Sequence, residues 1–289
     1  MLIKHILSYF VSRGLTGILN FVAIALYTRM LTTTDYGEYA LIVATVGFIN
    51  AFVFQWMRLV LLRFLPKHKR EKNDYLLLGT LFVSYIVCSS MLILIVSIIA
   101  FLGMISFSFA MSLLFLVISQ SIFEFVLELL RSSLYSNMYG VVSIVKSFIS
   151  LLTALALIKL GLGPEGIVAG TSFGTFLALS ILFFMFRKKG DYPQLKIAFD
   201  CRLLREYLTY GIPLTITLSM SFVMNQFDRI LLGWIMGKSE VGIYSAAYDL
   251  TQQTIIVLMM VVNLASYPLY VRALENGGIE AAQKQMGSS

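Results

Sequence analysis

The chain has 289 residues, is 58% hydrophobic and 13% charged, and carries a formal charge of +7. Its mean hydropathy is +0.85. Soluble domains hold about 25% charged residues, so there is too little charge here to solvate a globular surface. A soluble single domain, a disordered segment and a nucleic-acid-binding module are excluded on that ground. The positive excess then reads as the loop charge of a membrane protein.

A helix that crosses a bilayer needs about 20 consecutive, mostly apolar residues. About eight segments qualify, near 6–30, 37–64, 76–102, 107–136, 139–160, 164–187, 207–236 and 241–271. Lys4 precedes the first, but no small-residue cleavage pattern follows, so that segment reads as a retained spanning helix. Breaks between segments have physical markers. Thr32-Thr33-Thr34-Asp35 ends the first segment, the polar run from Pro66 to Asp74 separates the second from the third, and Gly161 to Gly166 divides the fifth from the sixth. The fold class expected is an all-α polytopic membrane protein. Its domains are a six-helix first lobe over 1–187, a cytoplasmic linker over 188–206, and the first two helices of a second lobe over 207–289.

Basic residues set the orientation. Lys67, Lys69, Arg70 and Lys72 share one connection, and Arg187, Lys188, Lys189, Lys196, Arg202 and Arg205 share another. Such connections belong on the cytoplasmic side, which puts the N-terminus there too. Cys88 lies in an apolar run and Cys201 in a polar one, so a disulfide framework is not expected. His5 and His68 have no Cys or acidic cluster at ligand spacing, so no metal site and no cofactor is expected.

An internal repeat is the most informative pattern. Asp35-Tyr36-Gly37-Glu38-Tyr39 follows the first segment, and Glu240-Val241-Gly242-Ile243-Tyr244 follows the seventh, at an offset of 205 residues. Acidic, Gly and Tyr positions recur at the same point of both lobes. Six helices per repeat give both copies one membrane orientation, as in parallel-repeat transporters. Only 49 residues follow Glu240, whereas a complete second lobe would need roughly 120 more, four helices of about 20 residues plus loops. The expectation is a truncated chain.

The run YTRMLTTTDYGEYAL (27–41), the entry YGIPL (210–214), and DRILLG (228–233) followed by VGIYSAAYDL (241–250) resemble the polysaccharide and oligosaccharide flippases. These belong to the multidrug/oligosaccharidyl-lipid/polysaccharide exporter superfamily. The similarity extends over the whole chain, with the motifs in the family's order. The resemblance implies two helical lobes and export of a polyprenyl-diphosphate-linked glycan for surface polysaccharide. It also implies a place in the bacterial cytoplasmic (inner) membrane and neighbouring polysaccharide-assembly proteins as partners beside the lipid bilayer. No catalytic role is implied.

Charge inside a bilayer is costly and should face a cavity or a partner. In the first segment Arg13, Thr16, Asn20 and Tyr27 fall near one stripe at the helical period. Gln55 and Arg58 share a face of the second segment. Thr217, Ser221, Asn225 and Asp228 line one face of the seventh, and Asp249, Gln252, Gln253 and Asn263 nearly repeat this in the eighth. A polar, partly cationic cavity between the lobes follows. The candidate substrate-binding residues are Arg13, Arg58, Arg229, Asn20, Gln55 and Asn225, because a planar, always charged guanidinium suits a diphosphate. The bland readings are snorkelling of Arg13 and Arg58 to the interface and an Asp228–Arg229 structural pair.

Glu124, Glu128 and Arg131 follow i, i+4, i+7 on the fourth segment, with Lys146 on the fifth. Glu124, Glu128, Asp228 and Asp249 are the candidate carboxylates for coupling to protons or sodium. The favoured reading of Glu124, Glu128, Arg131 and Lys146 is a balanced cluster that pins two helices together. Gly161-x-Gly163-x-x-Gly166 spells a dinucleotide fingerprint without the strand before it, so it is a turn. Gly166, Gly170 and Gly174 then form a small-residue ridge for close helix packing. The functional reading is translocation of a lipid-linked oligosaccharide. The alternatives are a cation-coupled exporter of small amphipathic compounds and an inactive truncated membrane protein.

Overall fold

The computed structural model describes residues 2–189 and 198–259, with side chains for 14–187 and 198–259. Helices α1 (Leu2–Met30), α2 (Thr33–Ile49), α3 (Gln55–Arg70), α4 (Asp74–Phe101), α5 (Phe107–Ser132), α6 (Ser136–Lys159), α7 (Gly163–Lys189) and α8 (Cys201–Ile235) follow in order. A further helix, α9, runs over 238–259. No strand occurs among the described residues. Six helices are long and apolar enough to cross a membrane, counting Thr33–Arg70 as one rod, and Gly14–Met30 adds a shorter apolar stretch. The all-α, polytopic expectation stands, and the segments expected from hydropathy recur in the expected order. The end of the eighth segment, 260–271, lies outside the described residues.

Local chemistry sets the helix ends. Thr32 caps α2, accepting from the Asp35 backbone N–H at 3.1 Å while its hydroxyl donates to the Asp35 carboxylate at 2.7 Å. The first of these bonds satisfies an N–H group that the helix itself leaves unpaired. Asp200 caps α8, with its Oδ1 accepting from the backbone N–H of Arg202 at 2.7 Å and of Leu203 at 3.3 Å. As a result α8 starts at Cys201, and the stretch 201–206 that reads as connection is helical. Gly237 closes α8 at φ +94°, a conformation that costs glycine little.

The rod Thr33–Arg70 contains one irregular turn, Asn50–Phe54, wound as a π-helix. A carbonyl freed by such a turn needs another donor, and Ser219 of α8 donates to the Ala51 carbonyl at 2.7 Å. The largest core gathers Leu61 and Leu65 of α3, Leu77 and Leu81 of α4, Val117 of α5 and Tyr207 of α8. α6 and α7 form the most extensive helix pair. Their seam is the small-residue ridge: Cβ atoms at Gly166, Gly170 and Gly174 would press on the α6 backbone at Leu157, Ala154 and Ser150.

Helix α8 lies along α2 and α3 from end to end. Tyr207 Oη and His68 Nε2 are 3.2 Å apart near the basic end. Gly211 then rests on Trp56, Phe222 on Gly47, and Gly233 on Leu41 at the opposite end. Helix α9 touches α1 near mid-length, where Gln253 Nε2 donates to the Gly17 carbonyl at 3.3 Å.

Candidate functional site

These helices enclose a cavity of about 780 Å³ between α1, α2, α5, α6 and α7 on one side and α8 and α9 on the other. Asn20 and Tyr27 of α1, Tyr36 and Tyr39 of α2, Phe123 of α5, Tyr139 and Lys146 of α6, Thr171 of α7, and Gln226, Arg229, Asp249 and Gln253 of the last two helices line it. The wall is polar on several sides, as facing stripes of helices in a bilayer must be if they are not to meet lipid.

Two cations reach this cavity. Arg229 is 3% exposed. Its Nη2 donates to Asp249 Oδ1 at 2.5 Å, and its guanidinium carbon stands 5.3 Å from the centre of the Tyr248 ring. Asp249 also accepts the Tyr36 hydroxyl at 2.9 Å, so α2, α8 and α9 are tied through one carboxylate. Arg229 Nε is buried without a hydrogen-bond partner among the described residues, and so is the Gln226 Oε1 atom beside the same cavity. A buried unpaired donor on a guanidinium is costly and fits an anionic group.

Lys146 is the second cation. Its Nζ lies 4.7 Å from the centre of the Phe123 ring, a cation–π contact. Among the described residues no carboxylate lies within ion-pair distance of it. Its helix face carries Ser143, Ser147 and Ser150 into the same cavity. The charged groups described at the wall are thus two cations against one carboxylate.

A second, smaller pocket of about 320 Å³ lies toward the basic end and shares Leu127 and Tyr139 with the first. Gln55 and Arg58 of α3 line it with Glu124, Glu128 and Arg131 of α5. Arg58 Nη1 is ion-paired with Glu124 Oε2, and Arg131 Nη1 is 3.6 Å from Glu128 Oε2. Gln120 donates to the other Glu124 oxygen at 2.9 Å.

The sequence-predicted residues therefore divide. Asn20, Arg229 and Asp249 share the main cavity, while Gln55, Arg58, Glu124 and Glu128 share the neighbouring pocket. Lys146 leaves the expected cluster with Glu124 and Glu128 and faces the main cavity instead. Asp228 accepts the Tyr244 hydroxyl through Oδ2 and the Arg229 backbone N–H at 2.8 Å through Oδ1. The Arg229 guanidinium is paired with Asp249 and not with its sequence neighbour. Asn225 is exposed, and its side chain donates to the Ser221 carbonyl at 2.6 Å; it is not on the cavity wall. The side chain of Arg13 lies outside the described residues. Tyr27 takes its expected place on the polar stripe of α1, and Lys146, Tyr36, Tyr39 and Tyr139 are the cavity residues that the sequence reading missed. Ser143, Lys146, Ser147 and Ser150 fall on one face of α6 by helical spacing, and that stripe was the available signal.

A family model described as polysaccharide biosynthesis protein matches residues 2–274. No curated protein matches at a significant level. A solved structure named only as protein A superposes with a TM-score of 0.59 at 16% identity, over 89% of this chain and 60% of that one. The likeness is one of fold, and this chain spans 60% of that protein's length.

Proposed function

The chain belongs to the polysaccharide biosynthesis protein family, and from that premise we propose that it moves a polyprenyl-diphosphate-linked oligosaccharide across a bacterial cytoplasmic membrane by alternating access. The observation that carries this reading is the cavity of about 780 Å³ with Lys146 unpaired by any described carboxylate and Arg229 held at its wall. A diphosphate brings two negative charges into a low-dielectric site, and two cations at a wall with one carboxylate, which pairs with Arg229 alone, leave a positive balance to receive it. Hydroxyl groups of Tyr139, Ser147 and Thr171 on the same wall suit a glycan, which offers many donors and acceptors and little charge.

The headgroup enters from the basic end, which is the cytoplasmic side in this reading, while the polyprenyl chain stays in lipid. The lobes are 1–187 and the helices from Cys201 onward, and their rocking presents the headgroup to the other side. Exchange requires different affinity in the two states. Asp249 supplies a physical route: a diphosphate that takes Arg229 removes the ion pair that fixes in place the carboxylate to which Tyr36 is bonded. The role is transport, with no bond made or broken in the cargo.

The test is the lipid pool of cells with and without the gene. Undecaprenyl-diphosphate oligosaccharide should accumulate on loss, and wild type should clear it while Lys146→Gln should not. An unchanged lipid pool on loss of the gene would remove this reading.

A further inference from the structure

At the end of the bundle opposite the basic connections, the two copies of the repeat lie against each other. A side chain at Gly37 would run into the Lys238 carbonyl and stand 2.9 Å from the Gly242 nitrogen. One at Gly242 would run into the Thr33 carbonyl and stand 3.1 Å from the Gly37 nitrogen. The contact between 37 and 238 maps onto that between 242 and 33 under the same shift of 205 residues that relates Asp35 to Glu240. Such reciprocity marks a two-fold relation, whose axis passes between the two glycines. The recurrent Gly of the repeat is thus bare because its opposite number occupies the space of its side chain.

The surroundings of this contact are small and exposed. Thr33 and Ser239 hydroxyls are 3.0 Å apart, and Lys238 Nζ donates to Glu38 at 2.8 Å. One residue inward, Tyr36 lines the cavity and bonds Asp249. The glycine pair therefore stands directly beyond the cavity wall, between the first lobe and the second.

We propose that the Gly37–Gly242 contact is the seal that closes the cavity at this end, and that its separation is the opening step. The proposal rests on the alternating-access reading given above. Two helix starts that touch by backbone alone can close without side-chain interlocking, and what holds them at the rim is an exposed ion pair and a hydroxyl pair, both weak. Because the obstructing atoms are backbone carbonyls, no rotamer change could accommodate a side chain at either glycine.

Accessibility labelling tests the seal without needing the cargo. A Ser147→Cys reporter is placed on the cavity wall of the full chain, with Cys88 and Cys201 replaced. An impermeant maleimide is then applied to sealed vesicles of each orientation. The reporter should be reached from the basic side and labelled at least ten-fold more slowly from the other. Gly37→Val and Gly242→Val should each raise labelling from that other side at least ten-fold. Oxidation of a Thr33→Cys/Ser239→Cys pair, which does not depend on a bulky substitution folding, should abolish it, and prior reduction should restore it. Equal labelling from both faces in the parent, or unchanged labelling in the cross-linked pair, would overturn the seal. Failure of the lipid-pool experiment with this labelling pattern intact would remove the proposed cargo and leave the seal standing.

Discussion

Replacing Asp249 by Ala should destabilise the protein by more than any loss of packed volume explains. The carboxylate accepts from Arg229 Nη2 at 2.5 Å and from the Tyr36 hydroxyl at 2.9 Å. Arg229 is 3% exposed, and its Nε already lacks a partner among the described residues. Removing one member of a buried ion pair costs about 3–5 kcal/mol, because the other charge stays buried and uncompensated. Stranding the Tyr36 hydroxyl adds about 1 kcal/mol, so the expected loss is about 4 kcal/mol or more. The double variant Arg229→Leu/Asp249→Leu removes both charges and should recover at least half of that, since apolar replacement of a whole pair is often neutral. Unfolding of the purified parent, Arg229→Leu, Asp249→Leu and the double variant by increasing SDS mole fraction, followed by far-ultraviolet circular dichroism, gives the four free energies of a double-mutant cycle and a coupling expected at about 2 kcal/mol. A coupling under about 0.5 kcal/mol would refute the pair as the organiser of this junction. The double variant should fold and fail to transport, because Arg229 is one of the two cations at the cavity. Transport at the parent rate in that variant would remove Arg229 from the site.

Lys146→Met should lower transport at least ten-fold with a stability change under about 1 kcal/mol, since Lys146 has a ring contact and no described carboxylate to strand; lipid-pool clearance and SDS unfolding check the two halves. Arg58→Ala should act the other way round, stranding Glu124 and destabilising the packing of α3 on α5, with a coupling to Glu124→Gln of about 1–3 kcal/mol in a double-mutant cycle; additive losses would mean that the pair is not an energetic unit. Gly170→Leu should fold poorly, because even its Cβ would fall within 2.6 Å of the Ala154 Cα, and overpacking of this kind costs about 1–3 kcal/mol or more. Gly161→Ala, at φ +88° in open space, should cost only about 1 kcal/mol, and a comparable loss at both positions would refute the ridge.

The fold was legible because a bilayer leaves few options. Every backbone polar group in hydrocarbon must be paired within its own segment, so apolar runs of spanning length become helices; Gly161 and Gly163 mark a break between two of them, whereas Pro66 does not, since α3 runs through it to Arg70. The end of one segment was misjudged for a local reason: Cys201 to Glu206 is polar and reads as linker, yet the Asp200 side chain caps two of the first N–H groups of α8 and extends the helix into that stretch. The π-turn at Asn50–Phe54 left no mark in periodicity, because one inserted residue in an apolar run shifts no polar residue to a wrong face.

Charged partners were harder to read than charged faces, and the reason is geometric. Periodicity fixes which side of a helix a residue occupies but leaves the neighbouring helix unknown, so Arg58 and Arg229 were assigned to one cavity when α5 supplies Glu124 to the first and α9 supplies Asp249 to the second. Sequence proximity misled in the same way: Asp228 adjoins Arg229, yet successive residues on a helix point about 100° apart, and the guanidinium reaches a residue on the next helix, 20 positions on in sequence. The repeat succeeded where single residues failed because it carries a constraint between distant segments. A shift of 205 residues relates two sets of positions at once, and a two-fold relation between them requires that if 37 meets 238, then 242 meets 33. Both contacts occur, and neither glycine could have been assigned a partner by reading its own helix alone.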